Sequence, residues 1–205
     1  MILIPALNPD QNLIDLAKRL KSAGSEVIVV NDGSGKNFLD VFRILASELH
    51  CIVISHSANL GKGAALKTGL RHIAETFPDA CGVVTADADG QHGAQDILRV
   101  SEALETPGEQ LFLGSRDFSG KDIPFKSKWG NRITSLVYFL STGKKCADTQ
   151  TGLRGIPKEL YEICGAVPGD RYEYEMNLLL EMGRRNIPLV QVPISTIYME
   201  NNQAS

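Results

Sequence analysis

The chain has 205 residues, 43% of them hydrophobic and 22% charged, with a formal net charge of −3. Those figures suit one globular domain with a sizeable core and exclude a disordered chain, a collagen-like repeat and a disulfide scaffold. The mild negative charge argues against a nucleic-acid binder, and no apolar run nears the roughly 18–20 residues of a membrane span.

The start, Met1-Ile2-Leu3-Ile4-Pro5, lacks the basic and long apolar regions of a signal peptide, so a soluble, cytoplasmic-type domain is expected. Strands are predicted at Met1–Ala6, Glu26–Val30, Cys51–Ser55, Gly82–Ala86 and Gln110–Gly114. Each is short and almost continuously apolar, as strands covered on both faces are. Helical spacing lies between them, on Leu13, Leu16, Ala17 and Leu20, on Phe38, Phe42, Leu45 and Leu49, on Leu66, Leu70, Ile73 and Phe77, and on Ile97, Val100 and Leu104. This alternation predicts an α/β fold, a mostly parallel sheet sandwiched by helices. After about residue 116 the alternation fades. A long helix is predicted over Lys126–Ser141, with Trp129, Ile133, Leu136, Val137 and Leu140 on its apolar side. The segment Asp148–Arg154 shows no period. Helices are predicted near Lys158–Cys164 and Tyr174–Arg184, then closing strands at Ile187–Val192 and Ile194–Tyr198, broken by Pro193.

In such sheets ligands bind beyond the carboxyl ends of the strands. Every predicted strand is followed there by polar or glycine-rich residues. Asp87-Ala88-Asp89-Gly90-Gln91-His92 follows the fourth. On an extended backbone Asp87, Asp89 and Gln91 would point one way, an oxygen set suited to Mg²⁺ or Mn²⁺. Two aspartates in a loop also simply cap a helix or solvate a turn. Asn59-Leu60-Gly61-Lys62-Gly63 allows close backbone approach before a helix N-terminus, with Lys62 either a charge for a phosphate or a solvated turn lysine. Asp32 either accepts from a base or ribose or caps a turn, and Asn8 has the same two readings. Asp148, Arg116 and Arg154 read either as a base with phosphate-binding arginines or as ordinary salt-bridge partners. No P-loop and no G-x-G-x-x-G follows the first strand.

Cys51, Cys81, Cys146 and Cys164 are too scattered for a metal or redox pair and read as reduced thiols. The four histidines form no zinc-type pair, and of them His92 alone stands in a segment of interest. Residues 116–145 hold seven basic and two acidic side chains, a surplus of five in a chain of net −3. With Phe125, Trp129 and Tyr138 that stretch either meets an anionic membrane or is a solvated helix face.

In order, these motifs resemble family 2 glycosyltransferases of the GT-A fold, most of all the polyprenyl- and dolichyl-phosphate sugar transferases such as dolichyl-phosphate mannose synthase. Ile4-Pro5-Ala6-Leu7-Asn8 is similar to the family's I-P-A-Y-N opening, and Val29-Val30-Asn31-Asp32-Gly33-Ser34 to V-V-D-D-G-S. The 59–63, 87–92, 114–116 and 148–154 segments match closely. The resemblance implies a single catalytic domain over 1–205, with a nucleotide-sugar-binding half at 1–92 and an acceptor-binding half at 93–205. It implies that Pro5, Ala6, Asn8, Asp32, Lys62 and Asp87 contact the nucleotide. Asp87, Asp89 and Gln91 would hold the metal, Asp148 would stand at the reaction centre, and Arg116 and Arg154 would stand near phosphates. Glu173 and Glu175 fall where the family has acidic residues on an acceptor-side helix. Asn31 and Pro9 depart from the family's Asp and Glu. Many relatives carry membrane helices beyond the equivalent of residue 202, so a C-terminal or separate membrane segment is expected.

The expected function is inverting, metal-dependent transfer from a UDP- or GDP-linked sugar to a polyprenyl phosphate, peripheral to the cytoplasmic face of a membrane. Alternatives are a family 2 enzyme acting on a glycan or other hydroxyl, and a non-catalytic nucleotide-sugar-binding module of a larger membrane protein. A sugar nucleotidyltransferase lacks support, because its glycine-rich opening is missing.

Overall fold

The computed structural model describes residues 1–116 and 125–195. Seven strands form one sheet: β1 (Ile2–Ala6), β2 (Val27–Asn31), β3 (Ile52–Ser55), β4 (Gly82–Thr85), β5 (Leu111–Arg116), β6 (Arg154–Pro157) and β7 (Leu189–Ile194). Their order is β3-β2-β1-β4-β6-β5-β7. Among the described strands β6 alone runs antiparallel to its neighbours.

Helices cover both faces. On one lie α1 (Gln11–Ser22), α2 (Leu39–Ser47) and α4 (Ala94–Ala103), packed on Ile2, Ile4, Val27 and Val29. On the other lie α3 (Lys62–Thr76), α6 (Tyr161–Ala166) and α7 (Glu173–Arg184), packed on Leu3, Ile28 and Val30. Successive residues of β1 and β2 thus feed opposite layers, which is why both strands read as unbroken apolar runs. In α1 the predicted stripe Leu13, Leu16, Ala17 and Leu20 is buried, and Asp10 caps the helix by accepting from the Asn12 N–H at 2.9 Å.

The structure adds one strand to the second half and corrects two expectations there. Arg154–Pro157 forms a strand although glycine and proline are poor strand formers, because β4 and β5 flank it and supply both ladders. Pro193 does not break the closing strand. It lies within β7 opposite Ser115, at the sheet edge, where its missing N–H costs no ladder bond. The long helix forms as α5 (Phe125–Thr142), but its predicted apolar side faces water: Trp129, Ile133, Leu136, Val137 and Leu140 are 46–74% exposed. The opposite side, with Asn131 and Tyr138, is the buried one. Of the basic stretch, Asp117, Lys121 and Asp122 lie outside the described residues, as do the side chains of Phe125, Lys126 and Lys128 and everything after Ser195.

Candidate active site

A cavity of about 550 Å³ opens beyond the carboxyl ends of β1, β2 and β4. It lies at the point where the strand order reverses, because β2 and β4 flank β1 on opposite sides. Pro5, Ala6 and Asn8 reach it from the end of β1, and Asp32 from the end of β2. Lys62 enters from the first turn of α3, and Asp87, Asp89 and Gln91 from the loop after β4. The structure therefore brings together all eight residues expected at the nucleotide and metal. Arg116, Asp148 and Arg154 are not among the residues lining it.

The rim is built by side chains bonding to loops. Asn8, at φ +50°, accepts from the Gly35 N–H at 2.9 Å, and its own N–H donates to Ser34 Oγ at 2.9 Å. Asp32 is 3% exposed and accepts from the Leu60 and Gly61 N–H groups at 2.9 and 2.8 Å. His56 holds it from behind, with Nδ1 2.8 Å from Asp32 Oδ1 and Nε2 3.0 Å from Thr68 Oγ1. Asp32 thus shapes the 59–61 loop as well as lining the cavity. Gly61 adopts φ +110° there, and the close backbone approach expected of this loop comes from the chain's own Asp170, whose carbonyl also accepts from the Ala64 N–H at 3.0 Å.

Under the cavity lies a charged cluster. Lys62 Nζ stands 2.6 Å from Asp87 Oδ1 and 2.7 Å from Glu175 Oε2, so it bridges two carboxylates rather than offering a solvated charge. Burial works against its charge, but Asp87 and Glu175 outweigh burial and hold its pKa above the ordinary lysine value. Burial likewise opposes ionisation of Asp87, but Lys62, then His92 and Arg154, hold its pKa below the usual carboxylate range. A β-carbon on Gly152 would stand 2.5 Å from Asp87 Oδ2, so that glycine lets the 148–154 segment run close beneath the carboxylate.

Residues 88–90 form a turn rather than an extended run, with Asp89 Oδ1 accepting from the Gln91 N–H at 3.0 Å. The side chains nevertheless share one cavity. Two carboxylates and an amide are hard oxygen donors, and Asp87 Oδ2 is not the oxygen Lys62 binds. Among the described residues no three His, Cys, Asp or Glu side chains cluster as a metal cage. Such a sparse set fits Mg²⁺ or Mn²⁺ completed by substrate phosphates and water.

A second polar group lies behind β5. Asp148 is fully buried and binds the Arg116 guanidinium through both oxygens, Nε at 2.6 Å and Nη2 at 3.0 Å. It also accepts from the Gln150 N–H at 3.1 Å. Arg154 is 2% exposed; its Nε donates to the Thr151 carbonyl and its Nη1 to the Glu175 carbonyl, while Nη2 has no hydrogen-bond partner. Arg154 is thus a buried charge behind Asp87, not an arm reaching into the cavity.

The profile of glycosyl transferase family 2 matches residues 1–164. The chain belongs to that family. Among family 2 relatives, the UDP-N-acetylglucosamine–dolichyl-phosphate N-acetylglucosaminyltransferase of Methanococcus voltae is 30% identical over 221 residues, 99% of this chain and 87% of the relative. The undecaprenyl-phosphate mannosyltransferase of Micrococcus luteus is 26% identical over 208 residues, 98% of this chain and 84% of the relative. Glucosyl-3-phosphoglycerate synthase from Mycobacterium tuberculosis, solved with Mn²⁺, UDP and glucosyl-3-phosphoglycerate, superimposes with a TM-score of 0.68 at 19% identity, covering 97% of this chain and 71% of that one. The fold is the GT-A type that the motifs implied, and the protein is a glycosyltransferase rather than a non-catalytic module.

Four residues of this family 2 site carry more than the sequence showed. His56, rather than His92, is Asp32's partner, and nothing in its local sequence signals a contact 24 residues away. Arg171 and Tyr172 line the cavity from the loop before α7, brought there by the approach of Asp170 to Gly61. Glu175, noted only for its place on a helix, is the second carboxylate on Lys62.

Proposed function

We propose that the protein transfers a sugar from a UDP- or GDP-linked donor to a polyprenyl phosphate, inverting the anomeric carbon, at the cytoplasmic face of a membrane. The observation that carries this reading is the convergence of Pro5, Asn8, Asp32, Lys62, Asp87, Asp89 and Gln91, from four separate segments, on one cavity. The names of the Methanococcus and Micrococcus relatives, which specify dolichyl- and undecaprenyl-phosphate, support the acceptor. Among the described residues no helix is long and apolar enough to cross a membrane.

In this reading residues 1–92 supply most of the donor site and residues 93–205 the acceptor side, with Arg171 and Tyr172 reaching across. Asp87, Asp89 and Gln91 would hold Mg²⁺ or Mn²⁺, which supplies Lewis-acid neutralisation of the leaving diphosphate. Lys62 keeps Asp87 ionised and in place. An acceptor phosphate oxygen bonds to the anomeric carbon as the bond from that carbon to the donor's β-phosphate oxygen breaks, and the nucleoside diphosphate departs. One in-line displacement inverts the centre. The attacking oxygen is already anionic, so no proton has to be removed. That agrees with Asp148, whose buried carboxylate is engaged with Arg116 and therefore acts by orienting that guanidinium toward the acceptor phosphate rather than as a base.

A thermal-shift panel of UDP- and GDP-sugars, with and without Mn²⁺ or Mg²⁺, tests the donor half. One sugar nucleotide should stabilise the protein only with the metal present. Transfer of radiolabelled sugar to a short-chain prenyl phosphate tests the acceptor half. Transfer to free sugars or glycans with none to prenyl phosphate would refute the acceptor assignment.

A further inference from the structure

Helix α5 has its amphipathic pattern turned outward. Its inner side is polar and anchored. Asn131 Oδ1 accepts from the Thr149 N–H at 3.0 Å, and the Thr134 and Thr149 hydroxyls meet at 2.6 Å. Tyr138 is fully buried and packs with Thr142 against Gly183 of α7. Its outer side carries Trp129, Ile133, Leu136, Val137, Phe139 and Leu140, between 43% and 74% exposed. Scattered apolar residues are normal on a surface, but a contiguous helical stripe of six large ones marks an interaction surface.

The charge around that stripe indicates what covers it. Residues 125–147 contain Lys126, Lys128, Arg132, Lys144 and Lys145 and not one Asp or Glu, in a chain of net −3. An outward apolar stripe on a helix about 27 Å long, in a stretch of sequence with this surplus of lysine and arginine, is the chemistry of a helix lying in the headgroup layer of an anionic membrane. A second copy fits less well, because a two-fold contact through α5 would set the basic stretch against itself.

We propose that the outward face of α5 is the surface by which this protein lies on an anionic lipid bilayer. The same helix holds Thr149 through its inner side, and the adjoining Asp148 holds Arg116. A bilayer against the outer side of α5 would therefore lie one helix diameter, roughly 10–12 Å, from the segment that holds Arg116. The inference rests on the polyprenyl-phosphate reading for its purpose, but the binding is measurable without it.

Trp129 is the chain's one tryptophan and stands on this face, so its fluorescence reports directly. With vesicles of phosphatidylcholine and phosphatidylglycerol, the protein should co-float and its emission should shift to the blue. Leu136→Glu with Leu140→Glu should lower partition at least about tenfold while leaving transfer to a short, water-soluble prenyl phosphate unchanged. Lys144→Gln and Lys145→Gln should each weaken binding roughly fivefold on anionic vesicles only. Unshifted emission and no co-flotation of the wild-type protein would overturn the proposal. So would a concentration-dependent dimer in sedimentation that Leu140→Glu dissolves, since a second copy would then be the occupant. Vesicle binding without transfer to any prenyl phosphate would leave this inference standing and refute the function. Transfer to the short acceptor without vesicle binding would do the reverse.

Discussion

At the cavity and behind it charged side chains are drawn inward: Lys62 and Glu175 are 17% and 15% exposed at the side chain, and Asp148 and Arg154, outside the lining, are buried. Along α5 the reverse holds, with Leu140 74% and Leu136 56% exposed. Helix α1 shows the ordinary arrangement, its leucines inside and Lys18 and Arg19 in water. Charges inside and leucines outside both cost free energy unless something compensates. At the cavity the compensation is internal, a lysine between two carboxylates. On α5 none of the described residues supplies it, and that contrast separates a preorganised site from a surface open to a partner.

The contrast can be broken by substitution. The largest expected effect is at the cavity. Asp89→Ala removes an oxygen donor from a loop position and should lower turnover about a thousandfold or more, with circular dichroism and melting unchanged. Retained turnover would remove Asp89 from the metal set. In the ordinary helix, Leu13→Ala should cost about 3 kcal/mol in urea titration, because Leu13 is fully buried. Lys62→Met leaves Asp87 and Glu175 facing each other without their cation. It should cost about 2 kcal/mol, moderated by partial exposure, and adding Glu175→Gln should recover part of the loss in a double-mutant cycle.

The pH dependence follows from the same pair. Asp87 has a lowered pKa, so its contribution is present above its ordinary 3.8 and is lost as pH falls through the folded value. Lys62 has a raised pKa, so its contribution is complete below its ordinary 10.5 and is lost as pH rises through the folded value. The melting-temperature gap between wild type and Asp87→Asn should hold constant through the neutral range and shrink as pH drops below 3.8. The smallest effect belongs to α5. Leu136→Ala should change stability by under about 0.5 kcal/mol, against the 3 of Leu13, and a loss as large as Leu13's would mean that the outward face is covered by the chain itself.

Much of the first half was legible in the sequence, because β1, β2 and β4 are buried on both faces and each ends in residues that have to serve the cavity. Residues 148–157 were less legible. Arg154-Gly155-Ile156-Pro157 carries one strong strand former, Ile156, beside a glycine and a proline, and becomes β6 because β4 and β5 pair with it on both sides. The roles of His56 and Glu175 are not legible for the same reason: their partners lie 24 and 113 residues away.

The sequence by itself determined the alternating α/β order, the family and the residues that reach the cavity from the ends of β1, β2 and β4 and the start of α3, since these depend on local periodicity and on short motifs at strand ends. Only the tertiary structure decided which way each amphipathic helix faces. Periodicity establishes that a helix has an apolar side, but the direction is set by the partners on offer. For α5 those partners are Thr149 and Gly183, which suit Asn131, Thr134 and Tyr138 rather than the leucines. It likewise decided that Lys62, Asp87 and Glu175 form one charged unit, because only folding brings α7 against the start of α3.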